Sequence, residues 1–295
     1  MHSLTDLEDK IAAGSRLTEA DAARVLTSPD LISVGVVGDA ARKRLAGETI
    51  TFGRVCEVAG ARPADVGDAG EVRLTGSPAS VDDAVARVRA AAAWAGRAAL
   101  TGFSLVDLLE WAKNGVSIED AARRLHEAGL EALADVPVDA VATTDALIEA
   151  VRAVHRGGLA TWRATVTHAP AAARLDLVAR VAALQEATGA LRAFAPLPRV
   201  DPRDTPSTGY DDVRTVAAAR LLCAAVPAIQ VDWPLYGPKL AQVALTYGAS
   251  DVDGVSAIDD ESLGTRRSPL EDIERQIRAA GGVPVARNGR YERLA

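Results

Sequence analysis

Along most of the chain, short apolar and β-branched segments alternate with longer stretches whose apolar positions recur at helical spacing. The expected strands are 50–55, 71–75, 98–103, 130–134, 161–167, 191–197, 229–233 and 252–256. Helical patterns fill most of the gaps: 81–94 behind Ser80, 105–113 behind Ser104, 118–128 behind Ser117, and 145–155 opened by Thr144. Such hydroxyls accept from the unpaired N–H groups of a first turn, and Asp82 and Asp83 there meet the positive end of the helix dipole. Further helical patterns cover 171–187, 211–225, 239–247 and 269–280. Strands alternating with helices make a parallel sheet coated by helices, and eight strands suit a closed (β/α)8 barrel of α/β class. An open doubly wound sheet is the other arrangement, weakened by the lack of any GxGxxG after the first strand.

Two stretches depart from the alternation. The first, 1–48, is helical throughout: Thr18-Glu19-Ala20-Asp21 has the form of a capping box, and Ser28-Pro29-Asp30 reads as a helix start capped by Ser28. The chain thus divides into a helical extension, 1–48, and a single barrel domain, 49–295, closing with a helix and a short strand. The second is CEVAGARPADVGDAG, 56–70, rich in Gly, Ala, Asp and Pro without helical period. A parallel crossover needs about a dozen residues and usually carries a helix. This one is long enough to cross, but its helix is missing.

Charge and composition narrow the function. A net charge of −7 over 295 residues argues against general nucleic-acid binding, which needs a positive stripe. No apolar run reaches the roughly 18 residues of a membrane span, so no membrane partner is expected. MHSLTDLEDKIAAGSRL lacks a basic stretch followed by an apolar core, so no signal peptide is expected and the cytoplasm is the expected location. Two cysteines, Cys56 and Cys223, exclude a disulfide framework and any metal site built from three or four thiolates.

Candidate chemistry is sought at strand C-termini, where barrel enzymes build their sites. His168 directly follows the fifth strand, placed either for substrate contact and proton transfer or as an exposed residue before the next helix. In IQVDWPLYGPKLAQ, Asp232 and Trp233 end the seventh strand and Tyr236 follows; they suit gripping a polar aromatic ligand, or a capping Asp above a packed Trp. Arg199, in a Pro-rich loop with Asp201, suits a carboxylate or phosphate. Asp251, Asp253, Asp259, Asp260 and Glu261 read as a solvated acidic face more readily than as a cation site, since their spacing matches no EF-hand.

LQEATGALRAFAPLPRVDPRDTPSTGYDDVRTVAAARLL, IQVDWPLYGPKLAQVALTYGASDVDGV and VPVARNGRY resemble the radical SAM enzymes of the futalosine menaquinone pathway, aminofutalosine synthase and dehypoxanthine futalosine cyclase, which are related to the FO synthase large subunit. KIAAGSRLTEADAARVLTSPDLISVG, ITFGR and EVRLTGS are similar to theirs too. The resemblance implies a radical SAM barrel. That family carries CxxxCxxC after its first strand, to hold the 4Fe–4S cluster that binds and cleaves S-adenosylmethionine; here Cys56 stands alone. The family's Gly-Gly turn is Gly76-Ser77, no acidic residue follows Thr101, and the Glu expected shortly after His168 is replaced by Ala-Pro-Ala.

The expectation is therefore a degenerate, cluster-less barrel with no cofactor, its cluster and S-adenosylmethionine cleavage lost. It would be a ligand-binding or accessory pseudoenzyme of menaquinone biosynthesis. Thr75, Thr101, Arg199, Trp233, Tyr236 and Asp253 would hold a nucleoside-like or aromatic acid ligand. The alternative is a lyase, hydrolase or isomerase with His168 and Asp232 as its catalytic acid–base pair. The missing first helix leaves apolar surface to cover. A second copy, an intact relative or an ordered 57–70 linker would each serve.

Overall fold

A computed structural model describes residues 4–199, 207–258 and 269–294. Three helices come first: α1 (Thr5–Ala13), α2 (Glu19–Thr27) and α3 (Leu31–Ala46). The capping box at Thr18 forms as expected, with Thr18 and Asp21 exchanging side-chain and backbone bonds. Ser28, by contrast, ends α2, and Asp30 caps α3. The Asp30 carboxylate accepts from both the backbone N (3.1 Å) and the hydroxyl (2.7 Å) of Ser33, while the Ser28 hydroxyl accepts from Asp30 N (3.2 Å). Leu7, Val25, Val34 and Val37 of this extension share an apolar cluster with Ala217, Ala218 and Leu221.

The expected eight strands all form: β1 (Thr49–Val58), β2 (Glu71–Leu74), β3 (Ala99–Ser104), β4 (Ala132–Pro137), β5 (Arg163–Val166), β6 (Ala193–Pro198), β7 (Ala228–Asp232) and β8 (Asp251–Ser256). They run parallel in the order β2-β3-β4-β5-β6-β7-β8-β1, and β1 also pairs with β2, closing the barrel. Around it lie α4 (Val81–Ala92), α5 (Leu105–Lys113), α6 (Ile118–Glu127), α7 (Thr144–Arg156), α8 (Arg174–Thr188), α9 (Gly209–Leu222), α10 (Trp233–Leu245) and α11 (Pro269–Ala279). A ninth strand, β9 (Val283–Arg287), also pairs with β1. It takes the first half of β1, from Thr49↔Val283 to Gly53↔Arg287, while β2 takes the second half, from Val55↔Glu71 to Val58↔Leu74. None of the described helices is long and apolar enough to cross a membrane.

No helix lies between β1 and β2. The linker itself lies against the neighbouring chain: Asp68 N donates to Ala257 O (3.2 Å), Gly70 N to Arg54 O (3.1 Å), and Val66 and Ala69 pack on the core. Gly67 has φ +50°, and a Cβ there would sit 2.1 Å from Ala257 O, so only glycine lets the two backbones approach. Through Val66 and Ala69 the ordered linker covers part of the surface where a first helix would lie.

Candidate functional site

Inside the barrel, alternate residues of a strand point to the lumen. On β2 these are Glu71 and Arg73, and on β8 Asp251 and Asp253, both pairs spaced by two. Arg163 enters from β5 and Arg287 from β9. Asp253, fully buried, receives Arg73 (2.9 Å), Arg287 (3.1 Å) and Arg163. Arg73 also donates to Glu71 (2.8 and 3.0 Å), which accepts from the Thr101 hydroxyl (2.6 Å). Arg287 forks onto Asp251 (2.6 and 2.8 Å) and lies 4.1 Å from the ring centre of Tyr291. Gln230 bonds both Asp251 (2.7 Å) and the Tyr291 hydroxyl (3.1 Å).

Three guanidiniums thus face three carboxylates in a space too dry to leave either unpaired. Burial alone would raise the Asp253 pKa. The charges of Arg73, Arg163 and Arg287 outweigh it and hold the carboxyl well below the usual carboxylate range. Burial pushes the Tyr291 phenol up to about 12, so it stays a neutral hydrogen-bonding group.

The mouth is more open. Asp232, at the end of β7, caps α10 by accepting from Leu235 N (3.0 Å) and pairs with Arg199 (3.0 Å). Arg199 follows β6 and keeps 27% of its side chain exposed, so one face of the pair stays accessible. Trp233 is half-buried beside it, and the Tyr236 hydroxyl donates to Pro198 O. Burial, with Asp212 nearby, raises the Tyr236 pKa and keeps the phenol protonated.

Among the residues expected at the site, Arg199, Asp232, Trp233 and Tyr236 come together on the β6–β7 side of the mouth. Thr75 lies half-buried just beyond β2. Thr101 and Asp253 lie in the lumen, where Glu71 and the arginines already engage them. His168 is exposed beyond β5; its backbone N donates to Asp139 (2.9 Å) and its ring lies 3.8 Å from that carboxylate. His168 and Asp232 thus have different partners: Asp139 for the first, Arg199 and Leu235 N for the second. Asp201, Asp259, Asp260 and Glu261 lie outside the described residues. Sequence reasoning missed Glu71, Arg73, Arg163 and Arg287, and the solvated acidic face expected at Asp251 and Asp253 is instead fully buried in the lumen. The signal was available in EVR and DVD, where charges recur at period two within strands.

The thiols were tested against the ligand set that a radical SAM cluster requires. Cys56 lies on β1, out of phase with Glu57, and packs in the apolar core. Burial, aided by Asp65 and Glu57, raises its pKa, opposing the thiolate form that binds metal. Cys223 follows α9; burial raises its pKa to about 12. Among the described residues, no group of three or more His, Cys, Asp or Glu side chains is placed to hold a metal ion. This chain's own residues therefore do not fit a three-thiolate set.

No family model matches the chain. It is 33% identical over 215 residues to 5-amino-6-(D-ribitylamino)uracil–L-tyrosine 4-hydroxyphenyl transferase 2 of Methanosarcina mazei, covering 61% of this chain and 55% of that one. It is 36% identical over 143 residues to aminodeoxyfutalosine synthase of Streptomyces coelicolor, covering 41% of this chain and 37% of that one. Its fold matches that of HydG, a maturase of the FeFe-hydrogenase, with a TM-score of 0.67 at 13% identity over 98% of this chain and 76% of the other. The chain spans about half the length of the first of these relatives.

The fold is a closed parallel TIM-type barrel with surrounding helices, the fold it shares with HydG. More narrowly, the chain is a homologue of aminodeoxyfutalosine synthase and the ribitylaminouracil–tyrosine transferase, both radical SAM enzymes. These comparisons correct the expectation that the cluster and S-adenosylmethionine are lost: the homologues use both, and nothing in the similarity shows a loss.

Proposed function

We propose that this barrel is a ligand-binding or accessory member of the futalosine-pathway relatives, holding a nucleoside-like or aromatic acid ligand at its mouth. The Arg199–Asp232 pair carries the reading. It stands partly open beside Trp233, whereas every charged group of the lumen below is engaged by the protein itself. The partly exposed Arg199 guanidinium offers a charge-assisted bond to an acidic or polar ligand, and the half-buried Trp233 that follows Asp232 adds an aromatic ring to the same side of the mouth. Asp232 holds Arg199 in place, and Tyr236 anchors the loop through Pro198 O.

The test is calorimetric titration of the protein with adenosine, as nucleoside, and benzoate, as aromatic acid, followed by mass analysis of the recovered ligand. Saturable binding weakened by Arg199→Ala, with the ligand recovered unchanged, supports the reading. Binding indifferent to Arg199→Ala, or ligand converted to product, overturns it.

A further inference from the structure

The opposite end of the barrel carries its own cluster of arginines. A cavity of about 340 Å³ opens there, between the first residues of β1, β7 and β8 and the segment that follows β9. Arg192, Arg290, Arg293 and Glu292 line it, with Ser250 and Tyr291. The backbone fixes the frame: Ala228 N donates to Arg192 O (3.1 Å), which ties Arg192 to the start of β7, and Arg293 bridges antiparallel to Arg287.

Arg287 lines it too, and the five charged side chains differ in what they already do: Arg287 is taken by Asp251. Arg290 is taken by Glu131 (2.6 and 2.7 Å), and Glu292 accepts from Asn288 (2.7 Å). Neither Arg192 nor Arg293 has a side-chain hydrogen bond or ion pair among the described residues. Two like charges lining one small cavity repel each other, and a dianion between them removes that repulsion. A second, independent observation lies in the wall. Ser250, 4% exposed, has a hydroxyl with no partner, and a buried hydroxyl without a bond is costly.

We propose that this cavity is an anion site for a small phosphate-bearing molecule, clamped by Arg192 and Arg293 against the wall formed by Ser250. Guanidinium forks match phosphate oxygens two at a time, and the volume admits a phosphate or diphosphate with a short appendage. The site is independent of the mouth, at the other end of the strands, and would stand if the mouth ligand were of a different kind.

The experiment is titration of the protein with inorganic phosphate, pyrophosphate and, as a dicarboxylate control, succinate, at low ionic strength. Pyrophosphate should bind saturably, more tightly than phosphate and much more tightly than succinate. Arg192→Ala and Arg293→Ala should each weaken it by about tenfold or more, while Arg199→Ala at the mouth leaves it unchanged. Both arginines are exposed, so the variants should keep the parent melting temperature and report on binding alone. Absence of pyrophosphate binding, succinate binding as tightly, or affinity unaltered in the Arg192→Ala, Arg293→Ala double variant would overturn the proposal.

Discussion

Asp232 and Asp253 face each other in register on adjacent strands β7 and β8, yet they do opposite things. Asp253 is fully buried and holds three arginines drawn from β2, β5 and β9, distant parts of the chain. Asp232 holds one arginine and caps one helix, and its partner reaches solvent. The residue type is the same, so the difference comes from depth. In the lumen a carboxylate must be fully matched, and matching removes it from any other task. One step toward solvent, a partly matched carboxylate can position a neighbour for a ligand. Charge is therefore structural within the lumen and available at the mouth.

Removing Asp253 should break that contrast most sharply. Asp253→Ala leaves three buried guanidiniums short of a partner and should lower unfolding stability by about 3–5 kcal/mol, read from urea denaturation. Acid should act on the same group. The pKa of Asp253 is lower in the fold than its unfolded value of about 3.9, so its contribution is complete above that value and declines as pH falls below about 4. The urea midpoint should hold from neutrality to about pH 5 and fall steeply below pH 4, with a shallower fall in Asp253→Asn.

At the mouth the effects shrink. Asp232→Ala removes the cap of α10 and should cost about 1 kcal/mol in the same denaturation assay. Arg199→Ala should change stability by less than about 1 kcal/mol, because the pair is partly exposed. It should still weaken the mouth ligand by about tenfold or more in calorimetry. An Arg199→Ala variant as unstable as Asp253→Ala would erase the distinction between the two levels.

The architecture was largely legible because its signals are local. Ser80, Ser104 and Ser117 each accept from a first-turn N–H, and the Gly-rich 56–70 linker lacks the period of a helix. At Ser28-Pro29-Asp30 two capping residues competed; Asp30 caps α3, while the Ser28 hydroxyl accepts from Asp30 N. The site was only half legible. Asp232, Trp233 and Tyr236 lie close along the chain, and Arg199 reaches Asp232 from the end of the adjacent strand β6. Thr101 and Asp253 looked equally available, since their partners Glu71, Arg163 and Arg287 come from other strands and become neighbours only when the barrel closes. The thiol of Cys56 shows the same limit: whether it faces inward or outward depends on strand phase, which the spacing around one cysteine does not give.

The double pairing of β1 also bears on the order in which the barrel can be assembled. Thr49 opens β1, yet its hydrogen-bonded neighbour on one side is Val283, and the lumen charge balance waits on Arg287. During synthesis the first strand must therefore remain half unpaired while β2 through β8 emerge and collect. Contacts this distant in sequence are slow to form, because the loop they close is long. The Thr49–Gly53 edge of β1 is therefore filled last, and a ribosome-bound chain arrested before residue 283 should present that open strand edge to chaperones.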